Sequence, residues 1–377
     1  MPAAETHRPT PEQFLTLIRR QTRGRLKVYL GSAAGVGKTY AMLREGQRLR
    51  AQGIDVVIGL LETHGRAETT EQLRDLEVIP PRVVEYRGVT LREMDLDAIL
   101  ARRPTVCLVD ELAHTNAPGS RHPKRYQDIE ELLHAGIHVI TTVNVQHLES
   151  LYDEIERSTG VRVKERIPDR VIADADQIVN VDVSVEDLIE RLNQGKIYPA
   201  ERISTALEHF FTPTNLTRLR EITLTEIAHL IDRRTRRAEA DQNPLSATDR
   251  VMVGLSSRGP SAQALLRKTA RLADRINAPW YAVYIQIPAE DLTRINAATQ
   301  RIIAKNLELA QQLGGIPMTF KGPDVASTIL AFAHEYAIKV IVVGKSRQPW
   351  YKRLWPGSVL SQLERRSKGF DILIADV

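Results

Sequence analysis

From Leu26 to about Val181, short β-branched runs alternate with longer stretches whose apolar residues recur at helical spacing, the pattern of βαβ units feeding one parallel sheet. Strands are expected at Leu26–Leu30, Asp55–Leu60, Arg82–Glu85, Thr105–Asp110, His138–Val143 and Gln177–Val181. Runs such as Val106–Val109 are apolar without alternation and suit central strands covered on both faces. From Ser184 to about Arg237 the strand signals stop and helical patterns follow, broken at Pro199 and Pro213. The basic run from Asp232 to Arg237 suits either a helix C-terminus, where cations meet the dipole, or an acidic docking surface. Ala238–Asp249, with Asn243, Pro244 and Ser246, reads as a polar linker. The alternation then restarts. Val251–Leu255 precedes an amphipathic helix carrying Leu265, Thr269, Leu272, Ala273 and Ile276, and further strands fit Trp280–Ile285, Met318–Lys321, Val340–Val343 and Ile372–Ala375.

The pattern predicts an α/β protein in four parts. A tail at 1–22 precedes a parallel-sheet domain with a C-terminal helical extension at 23–237, and a linker at 238–249 leads to a second α/β domain with five strands at 250–377. Composition changes little: 42% hydrophobic and 26% charged residues over 377 positions are ordinary for a globular chain, which argues against disorder or a fibrous repeat. The net charge of +5 is mild for this length and gives no ground for nucleic-acid binding. The single cysteine, Cys107, lies in an apolar run and reads as a small core residue, so no disulfide forms within the chain. The N-terminus lacks the apolar core of a signal peptide, and no window of about 18 apolar residues occurs. A cytoplasmic location without membrane insertion is therefore expected.

Candidate chemistry begins where the first strand runs into Gly31-Ser-Ala-Ala-Gly-Val-Gly-Lys-Thr39 ahead of a helix, the strand–loop–helix setting of a phosphate-binding P-loop. The backbone N–H groups of Ala33, Ala34, Gly35, Val36, Gly37, Lys38, Thr39 and Tyr40 would cradle phosphate oxygens, helped by the helix dipole. Lys38 would reach the β- and γ-phosphates, and the Thr39 hydroxyl would ligate Mg²⁺. One departure is visible: the motif asks for glycine five places before Gly37, where Ser32 stands, with Gly31 one place earlier. Asp110, at the end of a neighbouring strand, would hold the metal. Glu111 beside it either orients an attacking water or is an exposed strand-end carboxylate. After Val139–Val143 come Asn144 and Gln146, either of which could sense the terminal phosphate, and His147, which suits a cap or packing role as well as catalysis. Arg121, in the basic loop Gly119–Arg125, could reach phosphate in cis or across a homodimer, or belong to a solvated turn.

Taken together, Gly35–Thr39, Glu62-Thr-His-Gly-Arg66, Asp110–Arg125 and Thr141–Glu149 resemble the cytoplasmic N-terminal region of the KdpD family, bacterial potassium-responsive sensor histidine kinases, over roughly Arg23–Arg237. The resemblance implies an ATP- and Mg²⁺-binding regulatory domain acting through a sensor kinase or potassium transporter subunits. The given sequence holds none of the full sensor's transmembrane helices or kinase core, so it resembles either a stand-alone short form or a truncated piece of the longer sensor, and no phosphoacceptor histidine is assigned. A P-loop ATPase, with Glu111 or Gln146 positioning water, is the alternative from the enzyme class.

Val251–Val377 resembles the universal stress protein domain that follows in the same family, a doubly wound fold. Its ATP-binding members carry a glycine pattern matched in spacing here by Gly344, Lys345, Ser346, Arg347, Gly357, Ser358 and Val359, with Arg347 where the second glycine belongs. Ser358 also suits a helix N-cap. Some KdpD proteins bind cyclic di-AMP in this domain through a serine pair and an aromatic motif. Ser257 and Trp280–Tyr284 stand at that spacing, with one serine lost. Trp280 and Tyr284 fit a strand core equally well.

Overall fold

A computed structural model describes residues 23–62, 67–242, 249–256, 261–276, 278–288, 297–344, 359–366 and 369–376. They form two compact units. The first holds the described residues up to His147 with Ser158–Ile167 and Asp174–Thr223, and the second holds Leu148–Arg157, Pro168–Ala173 and the described residues from Leu224 onward.

In chain order the N-terminal elements are β1 (Leu26–Gly31), α1 (Lys38–Ala51), β2 (Val56–Leu60), α2 (Ala67–Glu71), β3 (Glu77–Val78), β4 (Arg82–Tyr86), β5 (Val89–Glu93), α3 (Leu96–Arg102) and β6 (Val106–Val109). Then follow α4 (Arg125–His134), β7 (His138–Asn144), α5 (Tyr152–Thr159), α6 (Asp169–Ala173), β8 (Gln177–Val181), α7 (Val185–Asn193), α8 (Ala200–His209) and α9 (Pro213–Gln242). The main sheet runs β3-β2-β6-β7-β1-β8, and every pairing in it is parallel. Its central strands β2 and β6 are buried along their whole length, which is why they read as continuous apolar runs.

Three expectations need correction. Arg82–Glu85 is not in the main sheet: β4 pairs antiparallel with β5 as a separate hairpin. Arg87 and Gly88, with φ of 51° and 77°, close it by the left-handed geometry that two-residue hairpin turns require. The strand bearing Asp110 is not adjacent to β1, because β7 lies between β6 and β1. Finally, α9 continues to Gln242, past Ala238, where the polar linker was expected to begin.

The helical extension packs directly on the glycine-rich β1–α1 loop. Ala33 and Val36 are buried in one apolar cluster with Leu188 and Leu192 of α7, Ile197, Phe211 and Leu216 of α9. Hydrophobic burial therefore ties the β1–α1 loop to elements more than a hundred residues later in the chain.

The second unit contains β9 (Arg250–Leu255), α10 (Ala262–Arg275), β10 (Trp280–Gln286), α11 (Ala297–Gln312), β11 (Ile316–Lys321), α12 (Val325–Glu335), β12 (Ile338–Gly344), α13 (Val359–Arg366) and β13 (Asp371–Ala375). Its parallel sheet runs β11-β10-β9-β12-β13, the doubly wound order, reversing between β9 and β12. Val251 and Val253 enter one core and Met252 the other, so both faces of β9 are covered. Among the described residues no helix is long and apolar enough to cross a membrane.

Candidate nucleotide site

The first unit's cleft, about 1410 Å³, opens at the carboxyl end of its sheet, where β1 delivers the chain into the glycine-rich loop. At the start of that loop glycine is needed at Gly31: a Cβ there would sit 2.6 Å from Val36 Cγ2. Ser32 has no positive φ and is buried, so the one-place departure from the motif is accommodated. Gly35 has φ of 88°, and a Cβ on it would collide with the Ile197 side chain. Helix α1 starts at Lys38 with Gly37 as its N-cap, no side-chain cap and no acidic residue in its first turn. Its leading N–H groups thus face the cleft without a local acceptor from a cap, as an anion site requires. Lys38 is buried, and its Nζ donates to the Ala33 carbonyl at 2.9 Å.

Asp110 stands opposite. The Thr39 hydroxyl donates to Asp110 Oδ2 at 3.0 Å, and Thr142 of the intervening strand β7 donates to the same carboxylate. Thr142 was not anticipated; its signal was the polar Thr141-Thr142 pair inside an apolar strand. Burial pushes the Asp110 carboxyl above the usual carboxylate range and nearby Glu111 adds to that, while hydrogen bonds from Thr142 and Thr39 and the Lys38 charge oppose it. A buried carboxylate next to a threonine hydroxyl is a donor set that suits Mg²⁺, a hard cation that favours oxygen ligands. Among the described residues no group of three His, Cys, Asp or Glu side chains could hold a metal. A cation here would draw its remaining ligands from phosphate and water, the usual arrangement for Mg²⁺ in nucleotide sites.

Glu111 has a left-handed backbone, φ 56°, an uncommon conformation for a residue with a side chain. The fully buried Arg125 braces it: Nη1 donates to the Asp110 carbonyl at 3.2 Å and lies 3.8 Å from Glu111 Oε2, while Nη2 lies 3.5 Å from Glu93 Oε2. Burial pulls the Arg125 pKa down, and the carboxylates of Glu111 and Glu93 oppose that pull. Arg121 does not reach the cleft of its own chain, which leaves the solvated turn or the reach across a homodimer among the roles that suited it. Arg121 is exposed, pairs with Asp97 and with Glu131 at 2.7 Å, and is not among the cleft-lining residues. Arg125 is the inward arginine of that loop because it opens α4 on its buried side.

Asn144 and Gln146 both line the cleft, as expected, and their Oδ1 and Oε1 atoms are buried acceptors without a hydrogen-bond partner. His147 shares a hydrogen bond between Nδ1 and the Glu165 carbonyl at 2.8 Å, and burial lowers its pKa, favouring the neutral ring. A neutral ring donating from Nδ1 leaves Nε2 as an acceptor. Tyr40, on the first turn of α1, lines the cleft and is 38% exposed. The opposite wall was not anticipated: Arg191, Lys196, Ile197, Tyr198, Arg202 and Phe210 line it from α7, α8 and the turns beside them.

In the second unit β12 ends at the half-buried Gly344, and β9, its neighbour across the strand-order reversal, ends at Leu255. Val359, exposed, opens α13. Ser257, Lys345, Ser346, Arg347, Gly357 and Ser358 lie outside the described residues. Of the two roles that suit Tyr284, ligand contact and strand core, the structure has the core one: it packs with Trp280, at 2% and 4% exposure. Strand β10 is buried along most of its length, so its aromatic rings fill the interior.

A family model described as the osmosensitive K⁺ channel His kinase sensor domain matches residues 22–231, and the universal stress protein family model matches residues 247–369. The chain is similar to the sensor protein KdpD of Escherichia coli K12, 45% identical over 93% of this chain and 39% of that protein. It is similar to the putative sensor protein KdpD of Synechocystis, 43% identical over 91% of each. The chain thus spans about two fifths of the length of the E. coli relative and nearly all of the cyanobacterial one. A solved universal stress protein in complex with cAMP aligns over 35% of this chain and 98% of its own, at 24% identity and a TM-score of 0.28. With a sensor-domain match over more than half its length and relatives above 40% identity, the chain belongs to the KdpD sensor family and carries a universal stress protein domain after the sensor domain.

Proposed function

We propose that the first unit binds ATP with Mg²⁺ and that the chain is a nucleotide-responsive regulator in potassium or osmotic signalling, acting in the cytoplasm on a sensor histidine kinase or on potassium transporter subunits. The observation that carries this is the 3.0 Å contact between Thr39 and Asp110, which brings the loop's hydroxyl and the buried carboxylate to one point beside an uncapped helix N-terminus. The amides of Ala33–Tyr40 would hold the triphosphate, Lys38 would exchange the Ala33 carbonyl for phosphate oxygens, and Thr39 and Asp110 would hold the cation. Calorimetric titration of ATP and Mg²⁺ tests this. Lys38→Ala should weaken binding by roughly 100-fold or more, the scale of a lost charged contact in a water-poor site, with an unchanged melting temperature. Equal affinity in the variant and the parent would refute the assignment.

Turnover of ATP is the second reading. The buried, unpartnered acceptors of Asn144 and Gln146 at the cleft could hold a water for attack. Against it, Glu111 lies within ion-pair distance of Arg125. Steady-state phosphate release well below the ~1–100 s⁻¹ typical of kinases would support the regulatory reading.

For the second unit we propose a nucleotide at the reversal between β9 and β12, cyclic di-AMP ahead of ATP. Gly344 and the strand ends around Leu255 stand at the crevice where doubly wound sheets bind ligands. Heat on adding cyclic di-AMP to the whole chain, retained in Lys38→Ala, would support this.

A further inference from the structure

We infer that the wall formed by α7, α8 and the turns flanking α8 is a nucleobase subsite, in which the rings of Tyr198 and Phe210 take the faces of a purine whose phosphates lie on the β1–α1 loop. This inference rests on the nucleotide reading of the first unit and extends it from the phosphates to the base.

The wall is fixed to the loop by two independent contacts. Ile197 packs so tightly on Gly35 that only glycine fits there, and Arg191 Nη1 donates to the Gly35 carbonyl at 3.0 Å. In a trans peptide C=O and N–H point in opposite directions. The Arg191 bond that holds the Gly35 carbonyl therefore also sets the direction of the Val36 N–H, one of the candidate phosphate donors. Arg191 is in this sense a positioning residue for the loop.

Tyr198 follows Ile197, so its Cα stands about 3.8 Å beyond the residue that touches the loop. Both Tyr198 and Phe210 line the same cleft as Lys38 and Thr39, and both are half-buried. Behind them Phe211 is buried and makes edge contacts with each ring, at centroid separations of 5.7 Å to Tyr198 and 5.3 Å to Phe210. That backing holds two rings that both line the cleft. Only 5% of this chain is aromatic, so three rings within fourteen positions at the edge of a phosphate cradle are a concentration with a use. Rings of this kind bind bases by stacking, which tolerates either purine because every base offers a π-face.

The test compares two probes on the whole chain, Mg²⁺-ATP and Mg²⁺-tripolyphosphate, which shares the phosphates and lacks the base. The parent protein should bind ATP about 10-fold or more tighter than tripolyphosphate, within the range of base–aromatic stacking. Tyr198→Leu and Phe210→Leu, which retain apolar packing on Phe211, should remove most of that advantage while leaving tripolyphosphate affinity unchanged. Unchanged tripolyphosphate affinity also shows that the variants are folded. Equal affinity of the parent for both probes, or an unaltered ATP advantage in both variants, would overturn the subsite. Failure of the parent to bind either probe would instead overturn the phosphate-loop reading beneath it, and the subsite with it.

Discussion

Each unit sends an inner strand into a glycine at the carboxyl edge of a parallel sheet, yet the surroundings of the two glycines differ. After Gly31 the chain turns within reach of Asp110 and Thr142, carried by two other strands, and of Ile197 and Arg191 from the helical extension. After Gly344 the sheet offers its strand-order reversal, while Trp280 and Tyr284, which suited a ligand contact or a strand core, lie in the core. A glycine loop becomes a chemical site when elements distant in sequence supply charge and shape to it. In the first unit β6, β7 and α7 do so, and the buried carboxylate of Asp110 is a cost to the fold that a bound cation would offset.

The largest expected effect follows from Arg125, which braces the strained turn behind Asp110. Arg125→Ala removes the buried guanidinium that faces Glu93 and Glu111, leaving Glu93 to His114 and the Ala117 N–H, and should destabilise the first unit by up to about 3–5 kcal/mol, the range for breaking a buried ion pair. Denaturant melts of the whole chain should show one transition moved and the second unit's unaltered; a shift of both would erase the distinction between the units.

Asp110→Asn sharpens the contrast further. It should weaken Mg²⁺-ATP binding roughly 10–100-fold and at the same time stabilise the ligand-free protein at neutral pH. The sign follows from the raised pKa. The native state holds the Asp110 proton more tightly than the unfolded chain, so the group's contribution is complete below the ordinary carboxylate pKa and is lost as pH rises through its native value. Cation binding needs the deprotonated form, so Mg²⁺-ATP affinity should fall on acidification, beginning above the usual carboxylate range. Titrations across pH on parent and variant check both signs, and a pH-independent parent would contradict them.

The smallest effect is expected at Tyr284. Because its ring lies in the core, Tyr284→Phe should cost no more than about 1.5 kcal/mol, the scale of one hydrogen bond. The affinity of the second unit for cyclic di-AMP should not change. A lost response to that nucleotide in this variant would return Tyr284 to the ligand site.

Most strands and the glycine-rich turn from β1 into α1 were legible because their signals are local. β-branched runs fix the strands, and the order strand, small residues, Lys38, Thr39, helix fixes the loop. What escaped depends on which strands become neighbours. The pairing β6-β7-β1 places Thr142 between Asp110 and the loop, and no run of residues encodes that order. Arg121 and Arg125 belong to one basic stretch, and only the orientation of α4 decides which turns inward. The wall of Tyr198 and Phe210 lay in a stretch legible only as helical, since its service to the loop comes from packing on Gly35. The hairpin β4–β5 was misassigned because Arg82–Glu85 resembles a sheet strand until its antiparallel partner at Val89–Glu93 is seen.

The most direct test is a crystal structure of the chain grown with Mg²⁺ and a non-hydrolysable ATP analogue. The expected map shows the triphosphate held by main-chain N–H groups between Ala33 and Tyr40, Lys38 on its oxygens, and the cation beside Thr39 and Asp110. A nucleotide bound elsewhere on the first unit, or a cation remote from those two residues, would contradict the assignment.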